Sequence, residues 1–247
     1  MSHVVIVGAS KGIGANVQAP LAMAGHFVTV LGRGKAPEPY YPLPVDAMLL
    51  CQRWRPVESA GYGDTGKTFV PYLEHHRDMF GEFDVSILRT KDMCEWASEH
   101  MVAGGSIVVM ASVAGVSVEE EQPVSYHAAK AALIEMVKYY AVTLGPKQIR
   151  VNAIIPGLTI KPEARGFYDA HPELEQLYTD ITPLGRMGTV EDIAHLVDFL
   201  ISDRSSYLTG QTITLDGGIG LRSHWAVARR VTPALRDLQV TQRAVAK

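Results

Sequence analysis

The sequence is poor in cysteine, in long apolar runs and in net positive charge. Its two cysteines, Cys51 and Cys94, lack the spacing of metal ligands, so we expect reduced thiols, with a disulfide between them as the alternative. No apolar stretch approaches the roughly 20 residues that span a bilayer, and no basic region precedes the first apolar run as in a signal peptide. The net charge of −3 provides no general attraction to nucleic acid or anionic lipid. We therefore expect a cytoplasmic protein without a metal, membrane or nucleic-acid partner.

The composition is that of one folded domain. The chain has 247 residues, of which 47% are hydrophobic and 20% charged, which supports a sizeable core. Strands are predicted over 3–7, 27–31, 45–50, 106–110, 149–155 and 211–215. Helices are predicted over 12–25, 70–102 with a break near Gly81, 126–144 and 190–201. Strands alternating with helices predict an α/β fold with a Rossmann-type doubly wound parallel sheet over 1–218, followed by a basic tail over 219–247.

A glycine-rich turn joins the first strand to the first helix. Its sequence is Gly8-Ala9-Ser10-Lys11-Gly12-Ile13-Gly14. Glycines permit the tight turn and a close approach of the backbone to phosphate, while the helix N-terminus presents N–H groups to an anion. The pattern predicts a pyrophosphate site formed by Gly8, Ser10, Lys11, Gly12, Ile13 and Gly14, and a turn without a ligand is the alternative.

Arg33 follows the second strand, where NAD-specific sites carry an acidic residue for the ribose 2′-hydroxyl. Together with Lys11 it can form a cationic clamp for a 2′-phosphate. This favours NADP(H) over NAD(H), and a pair of solvated charges is the alternative.

Tyr126 and Lys130 lie one helical turn apart and share a helix face. An ammonium near a phenol favours the phenolate, which suits proton exchange with an alcohol or carbonyl. Ser112 follows a central strand at the carboxyl edge, where α/β proteins bind ligands, and its hydroxyl can bond the same oxygen. We predict that Ser112, Tyr126 and Lys130 are catalytic.

Together these motifs resemble the short-chain dehydrogenase/reductase family over residues 1–34 and roughly 70–218. Besides the first turn, the resemblance is carried by the segments 112–115 (SVAG), 126–130 (YHAAK), 151–157 (VNAIIPG), 183–194 and 207–218. It implies hydride transfer with NAD(P)(H), Tyr126 as acid/base, Lys130 on the nicotinamide ribose and Ser112 on the substrate oxygen. It also implies that Pro156, Gly157 and Thr159 line the nicotinamide pocket, and that the chain forms a homodimer or homotetramer.

Two departures from the family concern the adenine side of the cofactor. The family has a helix–strand–helix after its second strand, but only a Pro/Tyr-rich link over 35–44 stands here, so we expect this edge strand and its helices to be deleted. We interpret 45–50 as the strand that precedes the family's Asn-Asn-Ala-Gly motif, whose place is then taken by Leu50-Cys51-Gln52-Arg53. Bulky side chains are expected where small ones let the ribose approach.

A third departure concerns the family's catalytic Asn. Phe83-Asp84-Val85-Ser86 aligns with the helix that carries it, and Ser86 takes the Asn position. The alternative makes 83–88 the Asn-Asn-Ala-Gly strand.

Three further features have competing interpretations. Residues 61–68 match the P-loop pattern, but no buried strand precedes them, so we expect a chance match. The loop over 158–182 is expected to cover the substrate; its aromatics Phe167, Tyr168 and Tyr178 favour an apolar or ring-bearing substrate, with lid packing as the alternative. The acidic run 119–121 is expected to be solvated, or to border the substrate mouth and disfavour anions.

The sequence thus predicts an NADP-preferring oxidoreductase acting on a carbonyl/alcohol pair. A non-redox acid/base enzyme, such as a dehydratase, cyclase or isomerase, is the first alternative. A cofactor-binding sensor without catalysis is the second.

Overall fold

A parallel six-stranded sheet forms the centre of the fold, in a computed structural model that describes residues 1–31, 44–53 and 79–232. Its strands are β1 (His3–Val7), β2 (Phe27–Leu31), β3 (Val45–Leu50), β4 (Met101–Met110), β5 (Arg150–Pro156) and β8 (Thr212–Leu215). Their order is β2-β1-β3-β4-β5-β8, and all neighbours are parallel. Two short strands, β6 (Thr159–Ile160) and β7 (Gly188–Thr189), pair separately.

Helices cover both faces of the sheet, which confirms the doubly wound α/β architecture. They are α1 (Ile13–Asn16), α2 (Gln18–Met23), α3 (Arg89–His100), α4 (Val124–Leu144), α5 (Arg165–Ala170), α6 (Pro172–Ile181), α7 (Val190–Ile201) and α8 (His224–Val231). Alternate β1 residues face opposite sides, because successive side chains of a strand do so. Val5 and Val7 pack with α3 and α4, whereas Val4 and Ile6 pack with α2 and α7.

The position of β3 settles how the chain departs from the family pattern. It pairs with β1 on one side and with β4 on the other, as expected for the strand before the missing Asn-Asn-Ala-Gly motif. The alternative that Phe83–Leu88 is this strand is wrong, because these residues form a π-helical segment leading into α3. Among the described residues β2 is the edge strand on that side, and the link over 35–43 lies outside them.

The first predicted helix is divided in two. Its pieces, α1 and α2, meet at Val17. Pro20 explains the division, since a proline ring clashes with the carbonyl four residues earlier and its nitrogen donates no hydrogen bond. The helix before β4 is not broken near Gly81, and a π-helical segment follows this residue at Phe83–Leu88. The predicted start of this helix, over 70–78, lies outside the described residues.

Other details refine the sequence interpretation. β4 begins five residues earlier than predicted, at Met101, because Met101 pairs with Val45 before a register shift in β3. Cys51 and Cys94 are both free thiols. No helix of the described segments combines the length and the apolarity needed to cross a membrane.

Candidate active site

The glycine-rich turn lies against the end of β3. Gly8 has a φ of +83°, and a Cβ added to it would lie 2.8 Å from the Cα and N atoms of Gln52. A Cβ on Gly14 would lie 3.0 Å from the Cβ of Cys51. Above the turn, by contrast, a Cβ on Gly12 would meet nothing within 4 Å. The glycines therefore bring the turn onto β3 and leave space on its outer side, where Ser10 and Lys11 are exposed.

We predict that Gly8→Ala lowers the free energy of unfolding by about 2–4 kcal/mol, because it adds left-handed strain and overpacking against backbone. Denaturant unfolding measures this. Gly145→Ala is the matched control, because Gly145 has a helical φ of −53° and open space around it. Equal stability of the two variants would refute the close approach of the turn to β3.

Ser112 is positioned by a tight turn at the end of β4. Its Oγ accepts a hydrogen bond from the Ala114 N–H at 3.2 Å, which leaves its own O–H free to donate. The turn approaches α4 so closely that a Cβ on Gly115 would lie 2.9 Å from the carbonyl carbon and oxygen of Lys130. This glycine of the SVAG segment thus lets Ser112 and the Tyr126–Lys130 helix share one corner of the sheet.

Lys130 is a buried cation. Only 3% of it is exposed, and its Nζ donates to the carbonyl oxygen of Met110 at 2.8 Å. Burial lowers its pKa to about 8, with Arg53 acting in the same direction, while Glu82 and Cys51 raise it. Nζ lies 5.6 Å from the centre of the Tyr126 ring, so the two residues that were predicted to act together are close neighbours.

Arg53 lies beside the ring of Tyr126. The carbon of its guanidinium is 4.2 Å from the centre of the Tyr126 ring, and its Nη2 donates to Oε1 of Gln122 at 2.8 Å. Leu50 and Gln52, two of the bulky residues expected near the ribose, are buried in the protein, whereas Arg53 lies beside Tyr126.

Glu82 and Ser86 form a second buried polar pair beside α4. The Ser86 hydroxyl, fully buried, donates to Oε1 of Glu82, which is 3% exposed. Their π-helical segment packs against α4, and π-helical turns are frequent at functional sites. Ser86, at the family's Asn position, is therefore hydrogen-bonded to Glu82. The carboxylate of Glu82 favours the charged form of Lys130.

The remaining predicted site residues lie at the carboxyl end of β5. Pro156 ends this strand, and Gly157 donates its N–H to the Leu215 carbonyl at 2.9 Å. Thr159 Oγ1 donates to the Gly157 carbonyl at 3.1 Å. Arg33 lies outside the described residues, as does the P-loop-like segment 61–68.

The predicted covering loop contains α5 and α6. Its aromatics pack on one another and on His171: the Phe167 ring stacks on His171 at 4.5 Å, and Tyr168 meets Tyr178 edge-on at 6.4 Å. At its start, Glu163 accepts a hydrogen bond from Asn16 Nδ2 at 2.8 Å. The loop therefore reaches the helix that follows the glycine-rich turn.

A dinucleotide fits these residues. The outer side of the turn is open at Gly12. Gln52 is only 7% exposed, and its buried Nε2 has no acceptor among the described groups. A sugar hydroxyl of the cofactor can supply this acceptor. The position of Arg53 beside Tyr126 and the interaction of Glu82 with Lys130 were not predicted from the sequence. The only sequence signals were an arginine just past a central strand and a Glu four residues before Ser86.

Comparisons with known proteins agree with this geometry. A family model described as enoyl-(acyl carrier protein) reductase matches residues 56–220, more than half of the chain. L-xylulose reductase of Bos taurus is 29% identical over 238 residues, which cover 87% of this chain and 94% of that protein. The 7alpha-hydroxysteroid dehydrogenase of Bacteroides fragilis is 35% identical over 120 residues, 49% of this chain and 45% of that protein.

A solved small-chain dehydrogenase in complex with NADPH superposes with a TM-score of 0.67 at 25% identity, covering 90% of this chain and 99% of that one. Several of the matches to curated relatives span only about half the relative's length. The matched family model and the shared fold nevertheless indicate the same family. The chain therefore belongs to the short-chain dehydrogenase/reductase family.

Proposed function

We propose that this protein is an NADP(H)-preferring reductase or dehydrogenase of a carbonyl/alcohol pair, with Tyr126 as its acid/base. The observation that carries the proposal is the buried corner where Tyr126 adjoins Lys130 and Ser112 follows β4. A nicotinamide cofactor, when bound, supplies or accepts the hydride. In the direction of reduction, the Tyr126 O–H gives its proton to the carbonyl oxygen, while the Ser112 hydroxyl donates a hydrogen bond to it.

Lys130 stabilises the negative charge that Tyr126 acquires. It is a cation beside the ring, and its Nζ lies 5.6 Å from the ring centre. We assign the cofactor phosphates to the turn formed by Gly8, Ser10, Lys11, Gly12, Ile13 and Gly14, and the nicotinamide end to Pro156, Gly157, Thr159 and Lys130. For the substrate we propose an apolar or ring-bearing body, a proposal supported by the name of the hydroxysteroid dehydrogenase relative.

The preference for NADP(H) rests on the exposed Lys11 and on Arg33 after β2. Titration of the protein with NADPH and with NADH, followed by nicotinamide fluorescence, tests it. We expect tighter binding of NADPH, and Lys11→Ala should weaken NADPH binding by about tenfold, since a charge-assisted bond to phosphate contributes about 1.5–3 kcal/mol. Lys11→Ala should weaken NADH binding less than NADPH binding, because NADH lacks the 2′-phosphate. The control variant Lys138→Ala, at a surface ion pair, should bind NADPH as tightly as the wild type does. Absence of binding at millimolar cofactor would overturn the redox proposal.

A non-redox acid/base enzyme on the same scaffold is the second candidate. It is favoured by one observation, the substitution of the Asn-Asn-Ala-Gly motif by residues that include Arg53 beside Tyr126. Binding of NADPH without turnover across a panel of carbonyl compounds would favour this candidate or a sensor.

We further propose a homo-oligomer paired through the helices α3 and α4. The outward face of α4 exposes the apolar residues Tyr139 and Val142, and Leu88 is exposed before α3. Burying these exposed apolar side chains would favour association of two copies through these helices.

A further inference from the structure

We infer that Arg53 determines substrate specificity by binding an oxyanionic group, a carboxylate or a phosphate, that the carbonyl substrate carries close to its reacting oxygen. This inference rests on the proposed function, because it places the reacting oxygen at Tyr126. It adds one anionic group to the apolar or ring-bearing body proposed above.

Two contacts hold the guanidinium at the catalytic corner. Arg53 comes three residues after β3 ends, at the carboxyl edge of the sheet, where parallel α/β proteins bind ligands. The ring of Tyr126 supports its guanidinium at 4.2 Å, and Gln122 accepts from Nη2 at 2.8 Å. A planar guanidinium fixed in this way is suited to bidentate recognition of an oxyanion.

The protein leaves this cation without a carboxylate partner in the described ranges. No Asp or Glu oxygen of residues 1–31, 44–53 and 79–232 forms an ion pair with Arg53 within 4.0 Å. Its Nε is buried without an acceptor in the same ranges. A guanidinium has five N–H donors, and the described contacts of Arg53 use one nitrogen. Within the described ranges most of its hydrogen-bonding capacity is therefore unused.

The charges around Arg53 favour an incoming anion. Lys130 is a neighbouring cation, and its repulsion by Arg53 contributes to the lowered pKa of Lys130. Burial and Glu121 raise the pKa of Glu119, whereas His127 and Arg53 lower it. An oxyanion beside Tyr126 would offset the repulsion between the two cations.

The position of Arg53 limits where the anionic group lies on the substrate. Tyr126 gives its proton to the reacting oxygen, and the guanidinium rests on the ring of this same residue. The anionic group must therefore lie within a few bonds of the carbonyl. Among simple compounds, 2-oxo acids and 3-oxo acids meet this requirement, whereas their methyl esters have the same carbonyl without the charge.

The first test compares acids with their methyl esters as substrates, in the presence of NADPH. We expect Arg53→Gln to lower kcat/KM by about 10–100-fold for the acids, the effect of losing one charged hydrogen-bonding partner, and by less than about threefold for the esters. Arg53→Lys should restore part of the lost rate for acids, because it restores the charge without the fork. Arg204→Gln, at an exposed ion pair with Asp198, should change neither. An equal loss for acids and esters would overturn the inference, because it would indicate a structural role.

A binding measurement separates this inference from the proposed function. Calorimetric titration of the cofactor-free protein with oxalate should show binding to the wild type and at least tenfold weaker binding to Arg53→Gln, whether or not any carbonyl compound is turned over. Equal oxalate binding by both proteins would overturn the inference. Repeating the titration with NADP⁺ present distinguishes the source of the anion. If oxalate still binds when NADP⁺ is present, Arg53 recognises a group of the substrate. If NADP⁺ abolishes oxalate binding and Arg53→Gln also weakens NADP⁺ binding, Arg53 binds a cofactor phosphate instead. The second result would overturn the substrate assignment.

Discussion

Tyr126→Phe is expected to lower kcat by about 10²–10⁴-fold, the usual contribution of a positioned proton donor. The variant removes one hydroxyl and keeps the ring on which Arg53 stacks, so the packing of the corner is preserved. NADPH binding should therefore be unchanged within about twofold. Single-turnover and steady-state rates with a carbonyl substrate, together with a fluorescence titration of the cofactor, measure the two quantities separately.

Tyr139→Phe is the matched control for this prediction. Tyr139 lies on the same helix, α4, but its side chain is exposed on the outer surface. Its variant should retain wild-type activity. Full activity of Tyr126→Phe would show that the proton comes from another group, and the acid/base assignment would be abandoned.

Lys130→Met is expected to abolish most activity and yet to stabilise the fold at neutral pH. Burial lowers the pKa of Lys130 from its usual value of 10.5 to about 8, which corresponds to a cost of about 3 kcal/mol for charging it in the folded state. Methionine fills a similar volume without a charge. The variant loses the hydrogen bond to the Met110 carbonyl, the cation beside the Tyr126 ring and the attraction of Glu82. Since the lowered pKa shows that burial outweighs the attraction of Glu82, we still expect a gain of about 1–3 kcal/mol at pH 7.

The pH dependence of the stability gained by Lys130→Met identifies the cause of this gain. Between pH 8 and 10.5 the unfolded chain holds the Lys130 proton more tightly than the folded protein does, so this group makes the wild type more stable as pH rises. Below pH 8 both states are protonated and its contribution is constant. The advantage of Lys130→Met in urea unfolding should therefore be largest below pH 8 and shrink towards pH 10.5. Lys138→Met, at an exposed ion pair with Glu135, should show no such trend, and a pH-independent gain in Lys130→Met would refute a buried charge.

Local patterns were sufficient to predict much of the fold. The strands β1, β2 and β3 and the helix α7 have the bounds that their apolar runs and turn residues predict. For α7 the capping box of Thr189 and Asp192 explains why its start is so sharply defined. The spacing of Tyr126 and Lys130 was also sufficient to predict that they are neighbours, because residues four apart meet on a helix.

Contacts between distant residues could not be predicted in this way. Arg53 and Tyr126 lie on different elements, and nothing local to either specifies that the guanidinium stacks on the ring. The π-helical turn at Phe83–Leu88 depends on packing against α4 and carries no composition signal. The early start of β4 depends on its pairing with Val45. Each of these features is set by a neighbouring element rather than by the segment itself.

Transfer of deuterium from NADPH deuterated at C4 shows directly whether the protein transfers hydride. A carbonyl substrate is incubated with each of the two stereoisomers of the cofactor, and the product is examined by mass spectrometry and NMR. If the chain is a hydride-transferring oxidoreductase, one stereoisomer delivers a single deuterium to the former carbonyl carbon, and Tyr126→Phe loses this product. Conversion of the substrate without deuterium from either stereoisomer would refute hydride transfer and favour non-redox acid/base chemistry at Ser112, Tyr126 and Lys130.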